Sequence, residues 1–172
     1  MKVLNVHSRI ISATTDEIAE IIGTLATPSD LIWPIGKWPA MKFKDGLEIG
    51  NTGGHGPIRY CVSQKRTNYI EFTFSNPKGM VGVHWIKWES VRHQETKIIH
   101  CIDMNTMGLA TFKWKLVIEP LHNALIEDAF DQLENRFSSR AVKTPWSPYV
   151  HSLRGIYRIS RRVASMLSLR ME

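Results

Sequence analysis

Three histidines stand where they could do chemistry. His84 and His100 fall on two long alternating stretches, Val81 to Val91 and Glu95 to Asn105, joined by a polar turn at Arg92-His93-Gln94. Alternation puts His84 on the face of Ile86 and Trp88, and His100 on the face of Ile98, Ile102 and Met104. If both faces point inward, these imidazoles can orient a ligand or move a proton, since imidazole titrates near neutrality. Histidines on apolar faces also serve simply as packing residues, and both readings stay open. His122 closes a Glu119-x-x-His122 pair, the half-motif of a di-iron helix bundle. No second copy exists, so His122 reads as a cavity hydrogen-bond partner or a packed side chain.

Other chemistries lack their residues. No nucleophile elbow or catalytic triad can be found, and neither Cys61 nor Cys101 has a metal-ligand partner at zinc spacing. No cofactor or metal is expected, and no catalytic residue is assigned. The run Gly50-Asn51-Thr52-Gly53-Gly54-His55-Gly56 leads into a strand rather than a helix and has no Gly-Lys-Ser/Thr, so it reads as a tight turn rather than a phosphate cradle.

Charge is unevenly placed. Of the formal +6, none arises in residues 1–137, where 15 Lys/Arg balance 15 Asp/Glu; residues 138–172 hold seven Lys/Arg against Glu172. The main domain therefore gives no electrostatic case for nucleic acid. No run reaches the roughly 18 apolar residues that span a bilayer. Without an export signal in Met1 to Val6, the two strand cysteines are expected as reduced thiols in a cytoplasmic protein.

The elements that must position the histidines are mostly strands. Lys2 to Ser12 alternates, with Leu4, Val6, Ser8 and Ile10 on the side expected to be apolar. Thr14 with Glu17 is a capping box opening a helix to about Leu25, and Thr27-Pro28-Ser29-Asp30 is expected to start a second short helix. Met41 to Ile49, Ile58 to Ser63 and Ile70 to Phe74 supply further strands. Then Thr106 to Phe137 changes period. Leu109, Phe112, Leu116, Val117, Pro120, Leu121, Ala124, Leu125, Ala129, Phe130, Leu133 and Phe137 recur every three or four residues, the signature of one buried helical face. Lys113, Lys115, Glu119, Glu127, Asp128, Asp131 and Glu134 are assigned to water. Such a helix must lie across the sheet and can enclose an apolar cavity.

This order, with Gly53-Gly54-His55-Gly56-Pro57-Ile58-Arg59-Tyr60, Phe72-Thr73-Phe74 and the run from Trp114 to Ala129, resembles the START/Bet v 1-like (SRPBCC) superfamily. Within it the chain is most similar to bacterial polyketide cyclase/dehydrase and lipid transport proteins. The resemblance spans residues 2–137 and implies an α+β helix-grip fold: a curved antiparallel sheet of six or seven strands around a long C-terminal helix, with two short helices after the first strand. It also implies that a hydrophobic or amphipathic small molecule binds between sheet and helix.

The residues expected to face that cavity are Trp33, Trp38, Tyr60, Phe72, Phe74, His84, Trp88, His100, Leu121, His122 and Leu125. Residues 138–172 form a second unit, a basic linker around Thr144-Pro145-Trp146-Ser147-Pro148 and an amphipathic helix with Val150, Leu153, Tyr157, Val163 and Leu167 on one side. Packing of that helix on the domain or on a second subunit, as in a homodimer, is favoured over a membrane surface or nucleic acid. The leading function is carriage or sensing of a lipid or polyketide-like ligand. The alternatives are a cyclase/dehydratase-type enzyme using the histidines, and an interaction module whose basic tail recruits a membrane or partner.

Overall fold

Seven alternating segments build one antiparallel sheet in this computed structural model, which describes residues 1–168, with side chains described through Arg158. The strands are β1 (Lys2–Ile11), β2 (Lys42–Phe43), β3 (Thr52–His55), β4 (Ile58–Arg66), β5 (Tyr69–Asn76), β6 (Met80–Arg92) and β7 (Glu95–Thr106). Their spatial order is β1-β7-β6-β5-β4-β3-β2, a curved sheet that does not close. The two longest strands pair along almost their whole length through the His93-Gln94 turn, where Gln94 takes the left-handed conformation.

The run Gly50–Gly56, read as a glycine-rich turn, turns only at its ends, where Gly50 and Gly56 take positive φ; its middle, Thr52–His55, is the strand β3. A side chain at Gly53 would lie 2.3 Å from the Lys42 carbonyl oxygen, and one at Gly54 would lie 2.0 Å from that of Ile58. Gly53 and Gly54 are there because three strands crowd together, not to make a turn.

Helix α1 (Thr15–Gly23) opens with the expected capping box, Thr14 and Glu17 each accepting from the other's backbone N–H. Its Ile18 and Ile22 are fully buried. The second short helix does not form. The Asp30 carboxylate instead accepts the backbone N–H groups of Ala26, Ile32 and Trp33, holding residues 26–33 in turns and bends.

The long helix is not uniform. It comprises α2 (Leu109–Lys113), one π-helical turn (Trp114–Ile118) and α3 (Glu119–Glu134). Pro120 has no N–H to offer the carbonyl of Leu116, four residues back, which explains why the regular ladder widens at this point. The Tyr149 hydroxyl donates to that carbonyl at 2.5 Å.

The face of β1 and the start of the long helix come out opposite to expectation, while Leu125, Ala129, Phe130 and Leu133 are buried as expected. On β1 the inward residues are Val3, Asn5, His7, Arg9 and Ile11, while Leu4, Val6 and Ile10 are exposed. The inward polar side chains are held by α3: His7 Nδ1 lies 2.7 Å from Glu127 Oε1, and Arg9 donates to Glu127, Asp131 and Glu134. On the long helix Leu109, Phe112, Leu116 and Val117 are exposed, because Ala110 and Trp114 supply a competing stripe that packs on Val3, Met80 and Met104. Asp128 and Asp131, assigned to water, are buried at 2 % and 4 % exposure.

Those two carboxylates bind the linker. Asp131 accepts the backbone N–H of Thr144 at 2.5 Å and its hydroxyl at 2.9 Å. Asp128 accepts the indole N–H of Trp146 at 2.9 Å and of Trp38 at 2.7 Å, and pairs with Lys37. Asn135 exchanges two hydrogen bonds with the Val142 backbone. Asp128 and Asp131 share one stripe of α3, which the C-cap residue Asn135 continues, so the linker is fastened along it. It leads into α4 (Pro148–Ser168), whose Ser147 hydroxyl accepts the Val150 N–H as an N-cap. Val150 is buried; the side chains of Val163 and Leu167 lie outside the described residues.

Cys61 and Cys101 are free thiols on β4 and β7, strands separated by β5 and β6. Three strand spacings put them roughly 14 Å apart, beyond disulfide reach.

Candidate functional site

A cavity of about 300 Å³ lies between the concave face of the sheet and the long helix. Strand alternation supplies one wall. Tyr60 comes from β4, Phe72 and Phe74 from β5, His84 and Ile86 from β6, and His100 and Ile102 from β7. Trp114, Ile118, Leu121, His122 and Leu125 supply the helical wall, and Trp33 and Trp38 come from the turns after α1. Of the eleven residues expected here, Trp88 alone is elsewhere. It is buried in the core with Ile70 and Ile98, because β6 runs on past the end of the cavity.

Four of the residues lining this space carry a buried polar atom without a partner. The Tyr60 hydroxyl, His84 Nε2, His100 Nδ1 and His122 Nδ1 are all buried and make no hydrogen bond. Their rings form a continuous row. Tyr60 meets His84 edge-on at 4.6 Å between centroids, His84 is 5.7 Å from His100, and His100 is 5.0 Å from His122. His84 also stacks on Phe72 and Phe74 at 4.7 and 5.0 Å.

Burial sets the charge state. It lowers the pKa of His84 and His100 well below the ordinary histidine value, with the neighbouring histidines adding to the effect. His122 falls to about 3, chiefly through burial and then through His7 and His55, against an opposing hydrogen bond with Asn123. His55 falls to about 4 through burial and the charge of Arg59. Burial likewise raises the Tyr60 hydroxyl. Near neutral pH the row is therefore uncharged, a set of donors and acceptors in an apolar chamber. No group of three or more His, Cys, Asp or Glu among the described residues is placed to hold a metal ion.

Sequence reasoning missed two contributions. His55 lines the cavity from β3, 4.9 Å from the Trp33 ring, yet its glycine-rich setting reads as a turn. The signal was its position directly across from Ile58 in a hairpin. Arg154 and Tyr157 reach the cavity from α4. Arg154 lies over the rings of Trp38 and Trp146, 4.1 and 5.0 Å from their centroids, and Nη2 donates to the Lys37 carbonyl. Only the register of the linker on α3 brings it there.

No described helix is long and apolar enough to cross a membrane.

No family profile matches the chain, and no curated protein is similar to it by sequence. Solved structures are similar in shape. Norcoclaurine synthase from Thalictrum flavum, in complex with dopamine and hydroxybenzaldehyde, superposes with a TM-score of 0.58 at 14% identity, covering 81% of this chain and 90% of that one. A protein from Nitrosospira multiformis gives 0.61 at 12% identity over 80% and 97% of the two chains. CalU16 from Micromonospora echinospora gives 0.54 at 12% identity over 90% of each, a likeness that runs past residue 137. The chain has the helix-grip, Bet v 1-like fold expected from its sequence.

Proposed function

We propose that this protein is a cytoplasmic carrier or sensor of a hydrophobic or amphipathic small molecule, held in the cavity between sheet and helix. One observation carries the reading: four side chains that line an apolar chamber, Tyr60, His84, His100 and His122, each carry a buried polar atom with no hydrogen-bond partner. Each such atom costs about 1–3 kcal/mol of stability. A row of them makes sense where a guest completes the hydrogen bonds. A volume of about 300 Å³ lies at the lower end of the usual range for small-molecule sites. The aromatic walls suit a lipid chain or a polyketide-like ring. The likeness in shape to a synthase holding dopamine and hydroxybenzaldehyde supports an aromatic guest.

The histidine row also bears on an enzymatic alternative. With pKa values pushed far below neutrality these imidazoles are poor proton donors and weak bases at pH 7, so they serve binding better than turnover.

Native mass spectrometry of the purified chain tests the proposal, together with titration by a fluorescent fatty acid and by a polycyclic phenol. A retained apolar mass or micromolar binding is expected. A chain that comes away empty and binds neither probe would leave the cavity a packing defect.

A further inference from the structure

We infer that the ligand is a carboxylic acid, with its carboxylate at Arg154 and its apolar body against the sheet. The inference rests on the binding reading above and narrows it.

Arg154 is the one residue with a permanent charge among the described residues that line the cavity. Its guanidinium is fixed rather than free, lying over Trp38 and Trp146 with Nη2 on the Lys37 carbonyl. Yet its Nε is buried and has no hydrogen-bond partner. Burial, and then the charge of Arg158, pulls its pKa below the ordinary value, while Asp128 opposes this from nearby. Asp128 is an incomplete counterion, since its oxygens already serve Lys37, Trp38 and Trp146.

A partly desolvated guanidinium facing an apolar space, with an unused donor, lacks an anion. Its planar fork matches a carboxylate, and the flanking rings restrict how the fork can turn. The other polar groups on the walls are neutral, so they suit a hydroxyl or carbonyl on the ligand body and give no place to a second charge. A cationic ligand would meet Arg154 with repulsion.

The test is isothermal titration calorimetry of the full chain with two matched pairs, octanoic acid against 1-octanol and 2-naphthoic acid against 2-naphthol, at a pH where the acids are ionised. Wild-type protein is expected to bind at least one acid about tenfold or more tighter than its alcohol, the scale of a charge-assisted hydrogen bond. Arg154→Gln should bring that ratio close to one, and Arg154→Lys should keep part of it. Circular dichroism of each variant confirms folding. Equal binding of acid and alcohol by wild type, or an unchanged ratio in Arg154→Gln, overturns the acid assignment and leaves the cavity reading standing. If none of the four compounds binds folded wild-type protein, the cavity reading falls and this inference falls with it.

Discussion

The imidazole of His84 lies nearly parallel to the ring of Phe72, 17° between planes and 4.7 Å between centroids, as a phenyl ring in a core would. Its Nε2 is nonetheless buried without a partner. An aromatic residue of similar size satisfies the stacking and removes the orphan atom.

His84→Phe is therefore expected to raise stability by about 1–2 kcal/mol, seen as a higher urea midpoint at unchanged slope. The same change should weaken ligand binding, a trade of function against stability. A destabilised variant with intact binding would mean that this nitrogen has no part in the site.

Asp128 is expected to matter more for the tail than for α3, on which it sits. Asp128→Ala leaves two indole N–H groups and the Lys37 ammonium without their acceptor. The expected loss is about 2–4 kcal/mol in urea denaturation. Hydrogen exchange should quicken over residues 142–158 ahead of the sheet, because the linker loses one of its fastenings. Uniform quickening across the chain would contradict that order.

Acid should weaken the fold in two stages. Unfolded histidines take up protons below about pH 6.5, whereas His55 and His122 in the fold hold out to about 4 and about 3, and His84 and His100 also titrate far lower. Between these limits the unfolded chain binds more protons, so stability falls as pH falls, by at most roughly 1.4 kcal/mol per histidine per pH unit. Asp131 acts at lower pH. Burial alone would raise its carboxyl, but the Thr144 N–H, the Arg9 guanidinium and the Thr144 hydroxyl outweigh this and hold it below the ordinary value. Its contribution is present above the unfolded carboxyl value and disappears as pH drops through the folded one. Scanning calorimetry from about pH 8 to about pH 4 should show a melting temperature flat above neutrality and falling progressively below. A flat profile down to about pH 5 would show that the imidazoles charge in place without opening the fold.

The sheet was legible because period-two alternation is strong wherever one face is buried, and His84 and His100 were placed on the correct face by that rule alone. On β1 the rule recovered the alternation but not its sense. Inward His7 and Arg9 look like solvent-facing residues until Glu127, Asp131 and Glu134 are known to wait across the gap. The long helix failed similarly at its start. Leu109, Phe112 and Leu116 compete with Ala110, Trp114 and Ile118 for one buried stripe, and composition cannot choose between two apolar faces. Buried Asp128 and Asp131 could not be read from α3, since their partners Trp146 and Thr144 lie in another segment. Arg154 was hidden for the same reason: its place at the cavity depends on how that segment is tied down.

The Leu116–Tyr149 hydrogen bond has a practical bearing on where this chain can be cut. A fragment ended at residue 137, where the resemblance read in the sequence stops, would strip the proline-orphaned carbonyl of its Tyr149 donor and take Trp146 from Asp128 and Thr144 from Asp131 in one stroke. Expression trials and grafting experiments are better served by keeping the terminal rod attached, since the grip is finished by a hand that reaches back from beyond the apparent boundary.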